Sequence, residues 1–465
     1  MPHSTTVSIT TPTLPARITR SLEAADIAFS VHASDTIDPA LHLHQVVLEH
    51  AGEQLLVLIP RTHILNLSQF NTATQSEWHA AAPAILAPLL ARLHLDTLPA
   101  LPQLLNLNSL CDPAIFTQPM AYLDSGIQGW VIAVTPAALN TLCSASQRIS
   151  CSELIVQPHP NHSAVNHDAE DIHQAVVRLT SRRIHQRLEE TLEIPLLNST
   201  AKKVLRLRDD PMAGVDELAS IVETDPALAA QVIGWAASPY YGAPGKIRSV
   251  EDAIVRVLGF DLVVNLALGL SLSKTLALPK DQPQYCKPYW QQAIYTAALI
   301  EGLTRAMPAK IKPEPGLAYL AGLLHNFGFA LLGYVFPPHF SLVCRSLEAN
   351  LHLSHSVVEH HLLGITREQM GAWLMQCWHI PDELVYALRY QDNPDYQGDC
   401  ATYANLICLA QRLLMQRKTG LNAHNAIPDA LYQRLGLTAD RAQLALEQVF
   451  DAEQALRSLA AQFNH

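Results

Sequence analysis

The chain has no lysine before Lys202. Over positions 1–150 the arginines are Arg17, Arg20, Arg61, Arg92 and Arg148, set against Glu23, Asp26, Asp35, Asp38, Glu49, Glu53, Glu77, Asp96, Asp112 and Asp124. An acidic surface repels nucleic-acid phosphates, whose binding relies on lysine and arginine displacing counterions. The whole chain has a net charge of −11, so tRNA is not expected as a partner, whereas proteins and small molecules are. Charged residues are scarce at 16% and aromatics at 6%, while 49% of the chain is hydrophobic. This excludes a disordered chain and, with abundant Ala and Leu, favours buried helices.

Other absences narrow the class. No apolar run is expected to reach the length of a membrane span, and Met1-Pro2-His3-Ser4-Thr5-Thr6 lacks the basic start and apolar core of a secretion signal. No membrane contact and a cytoplasmic location are therefore expected. Cys111, Cys143, Cys151, Cys286, Cys344, Cys377, Cys400 and Cys408 include no close ligand pair, so neither a zinc knuckle nor a disulfide framework is implied. No cofactor is expected. A length of 465 residues calls for two or three domains.

What is present divides into an N-terminal α+β half and an all-α second half. Positions 1–17 read as a flexible leader and 18–154 as an α+β domain. In that domain Ile18 to Val31 is expected to be an amphipathic helix, and Glu77 to Leu95 to be helical. Val46-Val47-Leu48 and Leu55-Leu56-Val57-Leu58-Ile59 flank the turn-like Glu49-His50-Ala51-Gly52-Glu53, which predicts a hairpin closed by Pro60. Trp130 to Val134 supplies another strand.

These pieces resemble the YbaK and prolyl-tRNA-editing family from about Ile18 to Leu142. The resemblance rests on the paired strands ending in Ile59-Pro60, on Ile64-Leu65-Asn66-Leu67, on Leu98-Pro99-Ala100-Leu101-Pro102, on Asp112, and on Gly129 before a strand ending in Val134-Thr135. It implies an aminoacyl-tRNA deacylase fold and a pocket for a small-molecule or aminoacyl ligand, with His44, Gln45, Asp112 and Gly129 as candidates. Family members use a lysine near the first strand of the hairpin. His42-Leu43-His44-Gln45 stands there instead, so deacylation of the family type is in doubt. His42 and His44 alternate along the strand and read as half-exposed.

Positions 155–168 form a polar linker whose His159, His162 and His167 read as solvated, and 169–193 form a connecting helix with Ile172, Val176, Leu179, Ile184 and Leu188 at helical spacing. From 194 to 395 caps and apolar runs predict successive helices: Asp225-Pro226 opens one, Ser249 before Val250-Glu251-Asp252 opens another, and Gly259 ends it. Positions 396–465 extend this bundle, with a last helix from about Ala439 to Phe463.

The second half resembles the HDOD domain, a bacterial signalling module related to the HD phosphohydrolases. The marks are Ile194-Pro195, Leu218-Ala219, Asp225-Pro226-Ala227-Leu228, Ile247-Arg248-Ser249, Leu258-Gly259, Gly322-Leu323-Leu324-His325, Leu363-Gly364, Gly371-Ala372 and Trp378-His379-Ile380-Pro381. By that resemblance His325 opens a metal site, Asn326 replaces its Asp, Arg367 stands where a His often sits, and Tyr390 and Gln391 occupy a later His pair. An amide is a weaker ligand than a carboxylate, and a guanidinium repels a metal, so no metal is expected. His352, His355, His360 and His361 read as a solvated helix face. A non-catalytic bacterial signal-transduction protein with protein partners is the favoured expectation. The alternatives are an aminoacyl-tRNA deacylase working without the family lysine and a residual metal-dependent phosphodiesterase centred on His325.

Overall fold

A computed structural model describes residues 13–155, 165–179, 196–243, 245–275, 278–419 and 427–462. The leader before residue 13, His159 and His162, the connecting helix beyond residue 179, and Ile194-Pro195 lie outside the described residues.

The N-terminal region is α+β. A mixed sheet has β5 (His79–Ala80), β2 (Leu43–His50), β3 (Glu53–Pro60), β6 (Asn108–Cys111) and β9 (Gln147–Arg148) in that order, and β1 (Ser30–Ala33), β8 (Trp130–Val134) and β7 (Ala121–Asp124) form an antiparallel sheet. A third, two-stranded pairing joins β10 (Ser152–Leu154) to β4 (His63–Leu65). The β2–β3 hairpin forms in register His50↔Glu53, and its turn is only Ala51-Gly52, with φ of 50° and 85°. Positive φ at both central residues matches the twist of the strands, which is why glycine occupies one of them. Leu43, Val47, Leu56 and Leu58 point into the domain's own core, whereas Val46, Leu48, Val57 and Ile59 line the opposite face.

Several boundaries differ from expectation. The first helix is Ala16–Ala24 and stops before Asp26, whose φ is 52°; Val31 instead pairs with Ile132 in the β1–β8 ladder. Glu77 to Leu95 is not one helix, because Pro83 takes the first turn of Pro83–Leu93 and His79–Ala80 joins the sheet. The final helix is two, Ala439–Asp451 and Glu453–Ala461.

The second region is helical. Asp225 caps Pro226–Ala236 by accepting from the amides of Ala227 and Leu228, each at 3.1 Å, and Ser249 accepts from Asp252 at 3.0 Å. The stretch Pro315–Val335 has the length and composition of a membrane span, 21 residues at a mean hydropathy of 1.3, contrary to expectation. It is the bundle's core, with 94% of its apolar window buried, and it bends at His325-Asn326 between Pro315–Leu324 and Phe327–Val335.

The outer face of the five-stranded sheet is covered by the helical region. Ala349, at the end of helix Pro337–Ala349, is fully buried among Val46, Leu48, Val57, Ile59 and Phe70. Asn350 accepts from the Leu65 amide at 2.7 Å and donates to the Leu65 carbonyl at 3.2 Å and the Ser346 carbonyl at 2.9 Å. His352 Nε2 donates to the His63 carbonyl at 2.9 Å. Asp168, at the start of helix Asp168–Leu179, is buried against Arg389 at 2.6 Å and so ties the connecting segment to the bundle.

Replacing Asn350 by Ala strips three backbone groups, the Leu65 amide and the Leu65 and Ser346 carbonyls, of this side-chain partner. A loss of about 2–3 kcal/mol is expected in the denaturant transition involving the interface, and a change under about 0.5 kcal/mol would mean that Asn350 does not stitch the regions together.

Candidate functional site

His325 and Asn326 form the elbow between two buried helices. His325 Nδ1 donates to the Gly322 carbonyl at 2.7 Å, which leaves Nε2 as the acceptor of a neutral ring. Burial pushes its pKa down to about 4, helped by the positive charge of Arg367 and the proximity of His355. Just beyond the elbow, a Cβ at Gly328 would collide with the Arg367 carbonyl oxygen. Glycine therefore permits helix Arg367–Cys377 to cross close enough to bring Arg367 to Asn326.

Arg367 is fully engaged. Its Nη1 donates to Asn326 Oδ1 at 3.1 Å, its Nε to Glu359 Oε1 at 2.6 Å, and its backbone amide to Glu359 Oε2 at 2.9 Å; Nη2 also pairs with Glu359. The Phe329 ring lies 4.5 Å from the guanidinium carbon. Burial alone lowers the Arg367 pKa, but the Glu359 and Glu368 carboxylates outweigh it and raise the value.

A second pair stands beside the first. His355 Nε2 contacts Glu368 Oε1 at 2.6 Å. Burial opposes charge on His355, yet Glu368 raises its pKa to about 9; burial likewise opposes charge on Glu368, which His355 and Arg367 bring down to about 2. The pair is therefore ionised at neutral pH. Gln391 Nε2 donates to the His325 carbonyl at 2.8 Å and takes up Gln411 through its own carbonyl at 3.0 Å. These groups line a cavity of about 90 Å³, bounded on its other side by Lys287, Tyr295 and Phe450.

His325, Asn326, Arg367 and Gln391 thus converge. Tyr390 does not: its ring stacks on Tyr396 at 4.0 Å and Tyr386 at 6.2 Å. The side chains do not fit the metal of an HD phosphohydrolase. The position facing Asn326 holds a guanidinium, Glu359 is spent on it, and Glu368 is spent on His355 through one oxygen. Among the described residues no three His, Cys, Asp or Glu side chains are grouped to hold a metal ion.

Glu359, Glu368 and His355 were missed by sequence reasoning, although the i, i+4 spacing of His355 and Glu359 puts both on one helix face. The histidines expected on a solvated face are not solvated together. His352 is buried and bonded to His63, His355 is paired with Glu368, and His361 pairs with Glu153 of β10 at 3.4 Å. Burial lowers the pKa of His360, with Arg178 adding to the effect.

The four candidates of the N-terminal region do not meet in one pocket. Gln45 points inward, donating at 2.6 Å to both the Leu98 carbonyl and Asp124, which His42 also contacts at 3.2 Å. His42 is buried rather than half-exposed. His44 points the other way and stacks on His352. Asp112 caps the turn at Ala114 and accepts from the amides of Cys151 and Ser152, each at 2.9 Å. Gly129, with φ of 79°, is a turn residue before β8.

Residues 194–394 match the HDOD domain. A crystal structure from Marinobacter aquaeolei VT8, named for signal transduction, is 38% identical, covers 97% of this chain and 100% of its own, and superimposes with a TM-score of 0.89. An uncharacterized protein of Treponema pallidum (strain Nichols) is 22% identical over 271 residues, 56% of this chain; the chain spans 50% of the length of that curated relative. A crystal structure named as a trans-editing enzyme for prolyl-tRNA synthetase aligns with 30% of this chain and 99% of its own, at 15% identity and a TM-score of 0.25.

Two outcomes test the site. Asn326→Asp combined with Arg367→His is expected to bind Mn²⁺ at least about tenfold tighter than the unaltered chain in titration calorimetry. Without metal the double variant should be less stable by about 3–5 kcal/mol, because Glu359 remains buried without its cation. Folding lowers the pKa of Glu368 and raises that of His355, so the pair's contribution is complete between about pH 4.5 and 6.5, fades in acid as pH falls toward about 2, and is lost as His355 gives up its proton when pH rises through about 9. Ring-proton NMR should show that titration, and Glu368→Gln should move it below about 6.5, since burial and the Arg367 charge then act without the opposing Glu368 carboxylate.

Proposed function

This chain belongs to the HDOD-domain family, and from that premise we propose that it is a non-catalytic regulatory protein of bacterial signal transduction. Its helical module acts on protein partners, and its N-terminal α+β domain is the ligand- or partner-sensing half. One observation supports this most directly: the Arg367 guanidinium, held by Asn326 and Glu359, stands among the groups a metal would need. Phosphodiester hydrolysis at an HD-type centre requires cations free to polarise the phosphoryl group and activate water. Here the cation is a side chain whose donors already serve Asn326 and Glu359.

In the N-terminal half, the acidic balance and the absence of lysine favour an editing-like scaffold kept for binding rather than for deacylating tRNA. The same proposal places the protein in the cytoplasm.

The experiment is elemental analysis of the purified full chain, run with hydrolysis assays on a panel of phosphodiesters and of mischarged tRNAs. Metal well below stoichiometry and turnover at background are expected. Near-stoichiometric metal with phosphodiester turnover would overturn the reading for the helical module, and deacylation would overturn it for the N-terminal domain.

A further inference from the structure

Two histidines from different domains meet face to face. The His44 ring of β2 and the His352 ring stack with centroids 3.7 Å apart and planes 25° from parallel. His352 is only 3% exposed. His44 bonds to the Ala349 backbone, and its Nε2 is buried without a hydrogen-bond partner. A carbonyl only accepts, so the bond to Ala349 fixes a neutral His44 with the proton on Nδ1 and a bare lone pair on Nε2. That atom is where a second proton must go.

We propose that His44 and His352 form a proton-operated latch between the two domains, closed while both rings are neutral and released when His44 takes up a proton from solvent. In the closed interface the new N–H would have no acceptor, and the charge would sit in a buried place beside other cationic or protonatable groups. Facing His44 are His352 from the helical domain, Arg61 just after β3, and His42 just before β2; each disfavours the charge, and burial disfavours it most. The Ala349 carbonyl alone favours it. Asp124, the carboxylate beside His42, is already taken by His42 and Gln45.

Neighbouring titrations do not all act in one direction. Burial lowers the pKa of His63, whose carbonyl holds His352, so its protonation also opposes closure, while Asp112 moderates the effect. His361 and Glu153 meet across the interface at 3.4 Å, a contact that favours closure. That pair is exposed enough for solvent to screen it, with side-chain exposures of 27% and 46%. Glu348, near His79 of β5, has a pKa raised by burial and also favours closure in acid; it is held by the Gln284 amide and Arg345. Against these stands His44 Nε2, buried without an acceptor.

The sign follows from linkage. A histidine whose pKa is depressed in the closed form binds its proton more readily in the open form, so closure weakens as pH falls below about 6.5. The Leu65 amide reads the interface directly, because it donates to Asn350 across it. Hydrogen exchange of the full chain, expressed as protection factors to remove the intrinsic effect of pH, should show Leu65 losing about tenfold per pH unit in acid for one linked proton. Amides from Ala297 to Ile300 in the bundle core should keep theirs.

His44→Phe keeps a neutral ring in the stack, and His44→Gln keeps a neutral donor for Ala349. Both should abolish the acid-dependent loss, whereas His361→Ala should retain it. In the unaltered chain the His44 ring proton should titrate at the opening midpoint. The latch is overturned if Leu65 stays protected to pH 5, if both His44 variants open with the original midpoint, or if His44 titrates apart from opening.

Discussion

Arg367 and Glu359 constrain the core of the helical domain, because neither can stay buried without the other. A charged pair taken from water gains little net stability, but breaking it strands a charge. This explains why the departures from an HD metal site come together. Once a guanidinium enters beside Glu359, a carboxylate at position 326 would give it a second anion and leave the cluster with an excess negative charge. Asn326 supplies a neutral acceptor at 3.1 Å and keeps the balance. Asn326 and Arg367 are thus a matched set, and Gly328 supplies the close helix crossing that lets them meet.

The same cluster is connected to the N-terminal domain through one continuous stretch. Ala349, Asn350 and His352 touch the sheet side, and His355 follows three residues later against Glu368. One helical turn further, Glu359 grips Arg367, and His361 returns to Glu153. Contacts to both sites therefore alternate along a single helix and the loop before it. Asn350 and His352, which hold the sheet side, thus lie five and three residues before His355, which lines the cavity.

Much of this was legible from residue pattern. The hairpin, the strand at Trp130–Val134 and the caps at Asp225 and Ser249 follow from local rules, and the helical module carried enough marks to be recognised. What escaped depends on partners distant in sequence. His352 looked solvated because its acceptor is a carbonyl in β4, some 289 positions away. His44 belonged to the correct strand, but only the second domain shows what covers that face. Glu359 and Glu368 had no local signature of burial, since their compensating charges come from the helix crossing and from His355. Tyr390 is adjacent to Gln391, yet a helix turns successive residues about 100° apart, so only one of them faces the cavity.

The electrostatics of that cavity also bear on what it can admit. Arg367 is offset by Glu359, His355 by Glu368, and Lys287 by Glu453 at 3.7 Å. Lys287 further rests 4.5 Å from the Tyr295 ring and 5.6 Å from the Phe450 ring. An entering phosphodiester would thus meet cations that already have carboxylate partners, and would have to displace those partners to gain their charge. Separating such pairs in a low-dielectric site costs several kcal/mol, which an HD-type centre avoids by keeping its metal positions open to the substrate. Phosphoryl chemistry that used these cations would therefore first have to separate pairs whose members cannot stay buried alone.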